Sequence, residues 1–505
     1  MSSTPEAANR GAVAAGHPAT AEAGAAVLRA GGNAVDAAVA AVLTSCVAEP
    51  LLTGLAAGGY LLVVPPDDDA VLLDFFVEAP GRGLEPADRT PLRAVTIDFG
   101  DATQVFHVGA ASCGTYGMPA GLAAAVEMFG RAPLAELTAP AARLARAGVR
   151  VTPMQAYLYA LLAEINAATP AGRARYLPDG RPPREGDLVT DPELADALDR
   201  FGADGAAPFY TGDLAAAVVD VVRGQGGLLG APDLAAYRVI QRAPLRVPYR
   251  DVTVCLNPPP SAGGTLLGRA LTELGRAPAP PDAQALVAAM AAAERARTPE
   301  FLVGLTDTVE AVDIARANRL GSTTHVSVLD ADGWACAVTS SNGEGSGVVV
   351  PGTGIHLNNV LGEEDLSPFG FHQQRPGVRL PSMMAPTAVL RDGVAELVAG
   401  SAGSNRIRSA VLQVIVNVLE RGMTAQEAVD APRLHLDGSE IYAEPGVDAA
   451  ALAATGLPVT TFRAPNLFFG GCQAVARHRA TGALLGGADA RRGGAVRYSP
   501  PPPPA

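Results

Sequence analysis

The chain has 505 residues, 48% hydrophobic and 18% charged, which excludes global disorder and leaves room for two to four ordinary domains or one large sandwich with insertions. The formal charge is −13 and there is no lysine, every fixed side-chain cation being arginine, so neither nucleic acid nor an anionic membrane surface is an expected partner. A small molecule is. The five cysteines (Cys46, Cys113, Cys255, Cys336, Cys472) are odd in number, widely spaced and without a CxxC pair, which argues for thiols in a reducing compartment and against a disulfide frame or a zinc site. Residues 1–10 carry no apolar segment of signal-peptide kind, and the run 35–47 contains Asp36 and is too short to span a bilayer, so a soluble, cytoplasmic protein is expected.

In chain order, a strand-like Gly11-Ala12-Val13-Ala14 leads into an alanine-rich helix, which Gly31-Gly32-Asn33 breaks before a second, buried helix over 34–46 ended by Glu49-Pro50. Residues 60–64 and 71–76 read as a hairpin around the acidic tip Asp67-Asp68-Asp69. From about 117 to 300 the signals are mostly helical, interrupted by an alternating stretch over 242–257 that ends in Pro258-Pro259-Pro260-Ser261-Ala262-Gly263-Gly264, a rigid arm and flexible backbone before a helix from Thr265. Another helix is predicted over 283–297, and further helices over 409–421 and 424–429 in a strand-rich last third. Residues 499–505, nearly all proline, read as a disordered end. Strands early, helices in the middle and strands late fit a layered α/β (α+β) sandwich whose two sheets are assembled from both ends of the chain.

Chemistry concentrates at Thr323-Thr324-His325-Val326-Ser327-Val328-Leu329-Asp330, which turns at Asp330-Ala331-Asp332-Gly333 and returns as Trp334 to Thr339 before Ser340-Ser341-Asn342-Gly343-Glu344-Gly345-Ser346-Gly347. Two adjacent threonines opening a strand are either a plain strand start or a hydroxyl to be used. A threonine hydroxyl needs a base in reach, none of the seven histidines falls in a triad signature, and His325 is too local to make one. His325 reads as a strand residue with a satisfied hydrogen bond or as a catalytic group. If the Ser322–Thr323 bond is cleaved, the new α-amine, with an ordinary pKa of roughly 7.7–8.0, can take the hydroxyl proton itself.

The chain resembles the γ-glutamyltransferase family of N-terminal-nucleophile hydrolases over almost its whole length. The resemblance is carried by Gly31-Gly32-Asn33-Ala34-Val35-Asp36-Ala37-Ala38, the motif 258–264, Thr323-Thr324-His325, Gly354-Ile355 with Leu357-Asn358-Asn359, Gly400-Ser401-Ala402-Gly403-Ser404-Asn405-Arg406, and Asp489-Ala490-Arg491-Arg492-Gly493. It implies a four-layer αββα sandwich and a precursor cleaved between Ser322 and Thr323 into a large subunit (1–322) and a small one (323–505) that stay together as a heterodimer. It implies Thr323 as nucleophile, Thr339 and Ser341 as hydroxyls that help processing and orient the amine, Asn342 in substrate contact, and the backbone amides of Gly403 and Ser404 as oxyanion hole. The substrate would be a γ-glutamyl or similar amide, its acyl group released to water or an amine, with no metal and no organic cofactor.

The departures concern the substrate. The family's α-carboxylate arginine falls at Phe76 in Asp74-Phe75-Phe76-Val77-Glu78-Ala79-Pro80, and a phenyl ring cannot clamp a carboxylate. One carboxylate-binding hydroxyl is kept as Ser382 and the other has become Met383. The acidic residue for the substrate amine falls at Glu363 or Asp365, unless these are a solvated acidic loop. Arg406 or Arg379 offers a replacement cation or is structural. Three readings follow: a γ-glutamyl hydrolase or transferase; the same machinery on another substrate, as an acylase or a C–C bond hydrolase in natural-product precursor biosynthesis; and an unprocessed, non-catalytic relative.

Overall fold

The computed structural model of the protein describes residues 10–84, 90–98, 103–306, 323–367 and 370–500. Two antiparallel sheets face each other. The first runs in the order Ala495–Ser499, Gly11–Ala15, Thr324–Asp330, Ala335–Ser341, Gly58–Val64, Val71–Asp74, Ile240–Arg242. The second runs Leu484–Ala488, Gly471–Arg477, Val394–Ala402, Thr387–Arg391, Val252–Leu256, Leu245–Tyr249. Strands from both ends of the chain thus interleave, and an α/β sandwich of αββα type is the architecture.

The period-2 alternation of the strands sorts side chains into layers. Ala12, Leu62, Leu329, Ala335 and Ala337 of the first sheet meet Cys255, Ala388, Leu390, Val398 and Val475 of the second in the inter-sheet core. The alternate residues Val13, Leu61, Val326, Val328 and Val338 pack outward against the helices Pro18–Ala30 and Ala34–Ala48. The second sheet's outer face packs on Ala262–Leu274, Ala283–Ala296 and Arg406–Leu419. The wholly buried helix Ala34–Ala48 has a reciprocal cap, Asn33 Oδ1 accepting from the Val35 and Asp36 amides while Asp36 accepts from the Asn33 amide.

Several expectations shift. The helix expected from Thr265 starts at Ala262, capped by Ser261; its two glycines pack rather than flex, because a Cβ on Gly263 would sit 2.0 Å from the Met383 carbonyl. Residues 93–108, given no element from the sequence, include the hairpin Arg93–Asp98 with Thr103–Val108. Ser499 is not part of a disordered end: it is fully buried, pairs with Gly11, and accepts a hydrogen bond from the Arg10 amide at 2.7 Å. Residues 501–505 lie outside the described residues. The acidic tip Asp67–Asp69 is exposed, and all five cysteines are buried and unbridged. Among the described residues no helix is long and apolar enough to cross a membrane, and no His/Cys/Asp/Glu group could hold a metal.

Candidate active site

The site is built on the hairpin Thr324–Asp330 and Ala335–Ser341, whose register sets Thr324 opposite Ser340 and His325 opposite Thr339. Alternation sends His325, Ser327 and Thr339 toward the second sheet, and Thr324 and Ser340 toward the helices. One residue further, the same alternation puts Thr323 and Ser341 on the inter-sheet side; both are buried, at 6% and 5% exposure. Ser322, the other half of the expected scissile bond, lies outside the described residues.

On the inter-sheet face, a chain of hydrogen bonds fixes the Thr339 hydroxyl. Ser327 donates its proton to the Gln473 carbonyl (3.0 Å), so its oxygen accepts from His325 Nε2–H (2.9 Å). The ring is neutral, burial pushing its pKa down to about 3, so Nδ1 is bare and accepts from the Thr339 hydroxyl at 2.7 Å. Thr339 therefore presents only lone pairs to any other neighbour, which suits it to hold an N–H of an α-amine. The ring lies flat on Gly400, where a Cβ would come within 2.3 Å of it. His325 is thus a satisfied strand residue that orients Thr339.

On the helix-facing side, the Thr324 hydroxyl donates to Glu49 Oε2 (2.8 Å) and the Thr20 hydroxyl to Glu49 Oε1 (2.9 Å), while Ser340 and Thr53 share a hydrogen bond at 2.9 Å. Burial raises the Glu49 carboxyl to about 7, the two hydroxyl donors pulling the other way. From the sequence, Glu49 is only the end of a helix. No local feature marks it, since its partners Thr20 and Thr324 lie 29 and 275 residues away. A raised folded pKa means the protonated form is favoured in the fold, so this contribution is complete below about 4.5 and is lost as the pH rises through about 7. In the single-chain Thr323→Ala background, Glu49→Gln is expected to match its parent in urea unfolding at pH 4.5 and to exceed it at pH 8 by up to about 3 kcal/mol. His17, His325 and His356, held below their ordinary value by burial, work in the opposite sense, their contributions being lost as the pH falls below 6.5. They are common to both proteins and cancel in the difference.

Beyond Ser341 the glycine run, which from the sequence is either a turn or a flexible substrate-facing loop, is buried. Ser341 Oγ accepts from the Gly343 amide (2.9 Å), the Asn342 side chain donates to the His356 carbonyl (3.1 Å), and Gly345 lies against the His356 ring. Glu363 is brought to this loop: its Oε1 would be 2.7 Å from a Cβ on Gly343. Asp365 belongs to the turn Glu364–Leu366, its side chain outside the described residues. Gly403 and Ser404 follow the strand Val394–Ala402 and precede the helix Arg406–Leu419, so their amides lie at the positive end of a 14-residue helix. Gly403 has φ +121° and Ser404 φ +50°.

The residues expected to recognise glutamate are not gathered as a carboxylate clamp. Phe76 is 1% exposed and stacked on Tyr60, ring centroids 5.5 Å apart. Met383 is 4% exposed in the core of the second sheet's helical side, and Ser382 Oγ accepts from the Met384 amide at 3.0 Å. Arg379 is no replacement cation: it is buried, donates to the Phe76 carbonyl and the Tyr237 hydroxyl, and faces Asp74 (3.4 Å) and Glu78 (3.5 Å). Arg406, fully buried, donates to the Phe468 carbonyl (3.1 Å) and lies over the Phe468 ring.

A hairpin preceded by Thr323 and packed, through His325 on Gly400, against the strand that leads to the Gly403 bend is a layout shared with N-terminal-nucleophile hydrolases. The family profile "Gamma-glutamyltranspeptidase" matches residues 20–312 and 284–499, and the chain belongs to that family. It is similar to an acylase ACY 1 proenzyme of Pseudomonas sp. (strain SE83), 33% identical over 94% of this chain and 90% of that protein. It is also similar to a glutathione hydrolase proenzyme of Escherichia coli (strain K12), 31% identical over 85% and 82%. Among solved structures it resembles cephalosporin acylase from Bacillus halodurans, with a TM-score of 0.80 and 27% identity over 98% and 97% of the two chains. The protein is thus an enzyme of γ-glutamyltransferase or acylase type.

Proposed function

We propose that the chain is a self-processing amide hydrolase of acylase type, cleaved before Thr323 into subunits that remain together, and acting on an amide whose acyl group lacks an α-amino-acid head. The observation that carries the substrate reading is Phe76, packed on Tyr60 at the clamp position, with Arg379 held by Asp74 and Glu78. In this reading the Thr323 amine takes the proton from its own hydroxyl, Oγ attacks the amide carbon, and the oxyanion is held at the Gly403–Ser404 bend. The amine of the substrate leaves with that proton, and water adds to the acyl-enzyme to release the acid and regenerate Thr323. Similarity to proteins named proenzymes supports the cleavage step, and five buried thiols agree with a reducing compartment.

The test is a comparison of simple aliphatic and aromatic acyl anilides with a γ-glutamyl anilide. The reading expects the former to be hydrolysed with the higher kcat/KM and free glutamate not to compete; efficient γ-glutamyl turnover inhibited by glutamate would return the enzyme to the glutathione class. Restoring the missing arginine alone is not expected to help. Phe76→Arg places an unpaired cation in the inter-sheet core beside Arg379, costing about 3–5 kcal/mol in thermal unfolding without gain in γ-glutamyl turnover.

A further inference from the structure

Two adjacent arginines in the turn Ala490–Arg492 meet opposite fates. Arg491 turns into a balanced cluster, donating to Glu444 Oε1 (2.7 Å) and Asp489 Oδ1 (3.2 Å), with Arg433 on the other Asp489 oxygen at 2.7 Å. Arg492 runs the other way. Its stem lies across Gly471, where a Cβ would meet Arg492 Cδ at 2.5 Å and Cγ at 2.7 Å, so the glycine is what lets the side chain pass. Its guanidinium ends beside the other glycine bend: Nη2 is 3.7 Å from the Cβ position of Gly403 and 3.5 Å from the Leu467 carbonyl.

Arg433 and Arg491 already neutralise Asp489 and Glu444. Glu344, a buried residue three positions after Ser341, is among the carboxylates whose charge acts on Arg492. Arg492 therefore sets its charge beside the bend assigned above to the oxyanion. Burial lowers its pKa to about 10, against Asp489 and Glu344, so it stays charged at neutral pH.

We propose that Arg492 is a positioning residue whose fixed positive charge, set beside Gly403, stabilises the negative charge that develops on the substrate carbonyl oxygen. This rests on the reading of Thr323 as nucleophile and of Gly403–Ser404 as oxyanion hole. A preorganised cation in a water-poor site acts on the transition state and little on the neutral ground-state amide, so its removal lowers kcat and spares KM. It also favours ligands that become anionic on Thr323, such as an alkyl boronic acid, whose boron accepts Thr323 Oγ to give a tetrahedral anion, the hydroxyl proton passing to the α-amine.

The experiment compares Arg492→Met, which keeps an unbranched stem over Gly471 and removes the charge, with Arg492→Lys, which keeps the charge, on one acyl anilide, beside Thr323→Ala. Expected are a fall in kcat of about 10²-fold for Arg492→Met with KM within about threefold, recovery of at least about tenfold by Arg492→Lys, and a parallel loss of boronate affinity. If Arg492→Met does not mature, the self-cleavage rate becomes the readout, with the same order of arginine, lysine, methionine. Arg492→Met with wild-type kcat, or lysine no better than methionine at equal thermal stability, overturns the proposal. An active Thr323→Ala protein would instead overturn the nucleophile reading beneath it.

Discussion

Thr323→Ala is expected to leave the purified protein as one full-length chain with acyl anilide hydrolysis reduced by at least about 10⁴-fold. Both losses have one origin. In the proposed mechanism, cleavage before Thr323 would use its hydroxyl as the attacking group, and without cleavage the α-amine that would serve as base would not exist. Among the described residues, the neighbouring hydroxyls of the hairpin are engaged elsewhere. Thr324 faces the helices and is committed to Glu49, Ser340 is paired with Thr53, and Ser341 accepts from the Gly343 amide. The fold itself should survive, because Thr323 precedes the strand Thr324–Asp330 and a methyl fits wherever a threonine side chain does. Thr323→Ser, which keeps the hydroxyl, separates loss of the nucleophile from loss of shape: it should still cleave and hydrolyse. Gel electrophoresis under denaturing conditions and a single rate assay read both.

Gly403→Ala is expected to be the most damaging change outside the nucleophile, with kcat down about 10²–10³-fold. At φ +121° an alanine is strained wherever it is placed, and its Cβ would stand 2.9 Å from the Gly470 α-carbon, a backbone atom that cannot rotate aside. The bend must therefore open, and its amides leave the positions set by the helix Arg406–Leu419 behind them. Ser404 supplies the contrast. At φ +50° it occupies a left-handed conformation that costs a non-glycine residue about 1 kcal/mol, so Ser404→Gly should keep activity and hold or raise the melting temperature. Loss of activity in both variants would mean that the Ser404 side chain matters, and not only its amide.

What could be read from the sequence was what short spacing controls. The hairpin 324–341 followed from β-branched alternation around Asp330-Ala331-Asp332-Gly333, and the αββα layout from family motifs in order along the chain. What could not be read was set by contacts across the fold. Gly263 and Gly264 suggest flexibility until the Met383 carbonyl is seen lying against the first of them. The run 343–347 likewise looks mobile, yet it is buried against His356 and Asn359. Glu49 meets Thr324 from 275 residues away, and nothing local distinguishes a helix-ending glutamate from one that accepts two buried hydroxyls. Arg379 could be either a spare cation or a strut until Asp74 and Glu78 were found on it, and Arg492 gains its position from Gly471 and Gly403.

The central claim is that Thr323 becomes a chain terminus. Intact mass measurement of the purified wild-type protein after incubation at neutral pH tests it without any choice of substrate. Two species are predicted, the smaller beginning at Thr323, their masses summing to that of the precursor plus one water. A single uncleaved chain, or a new terminus at any other residue, would contradict it.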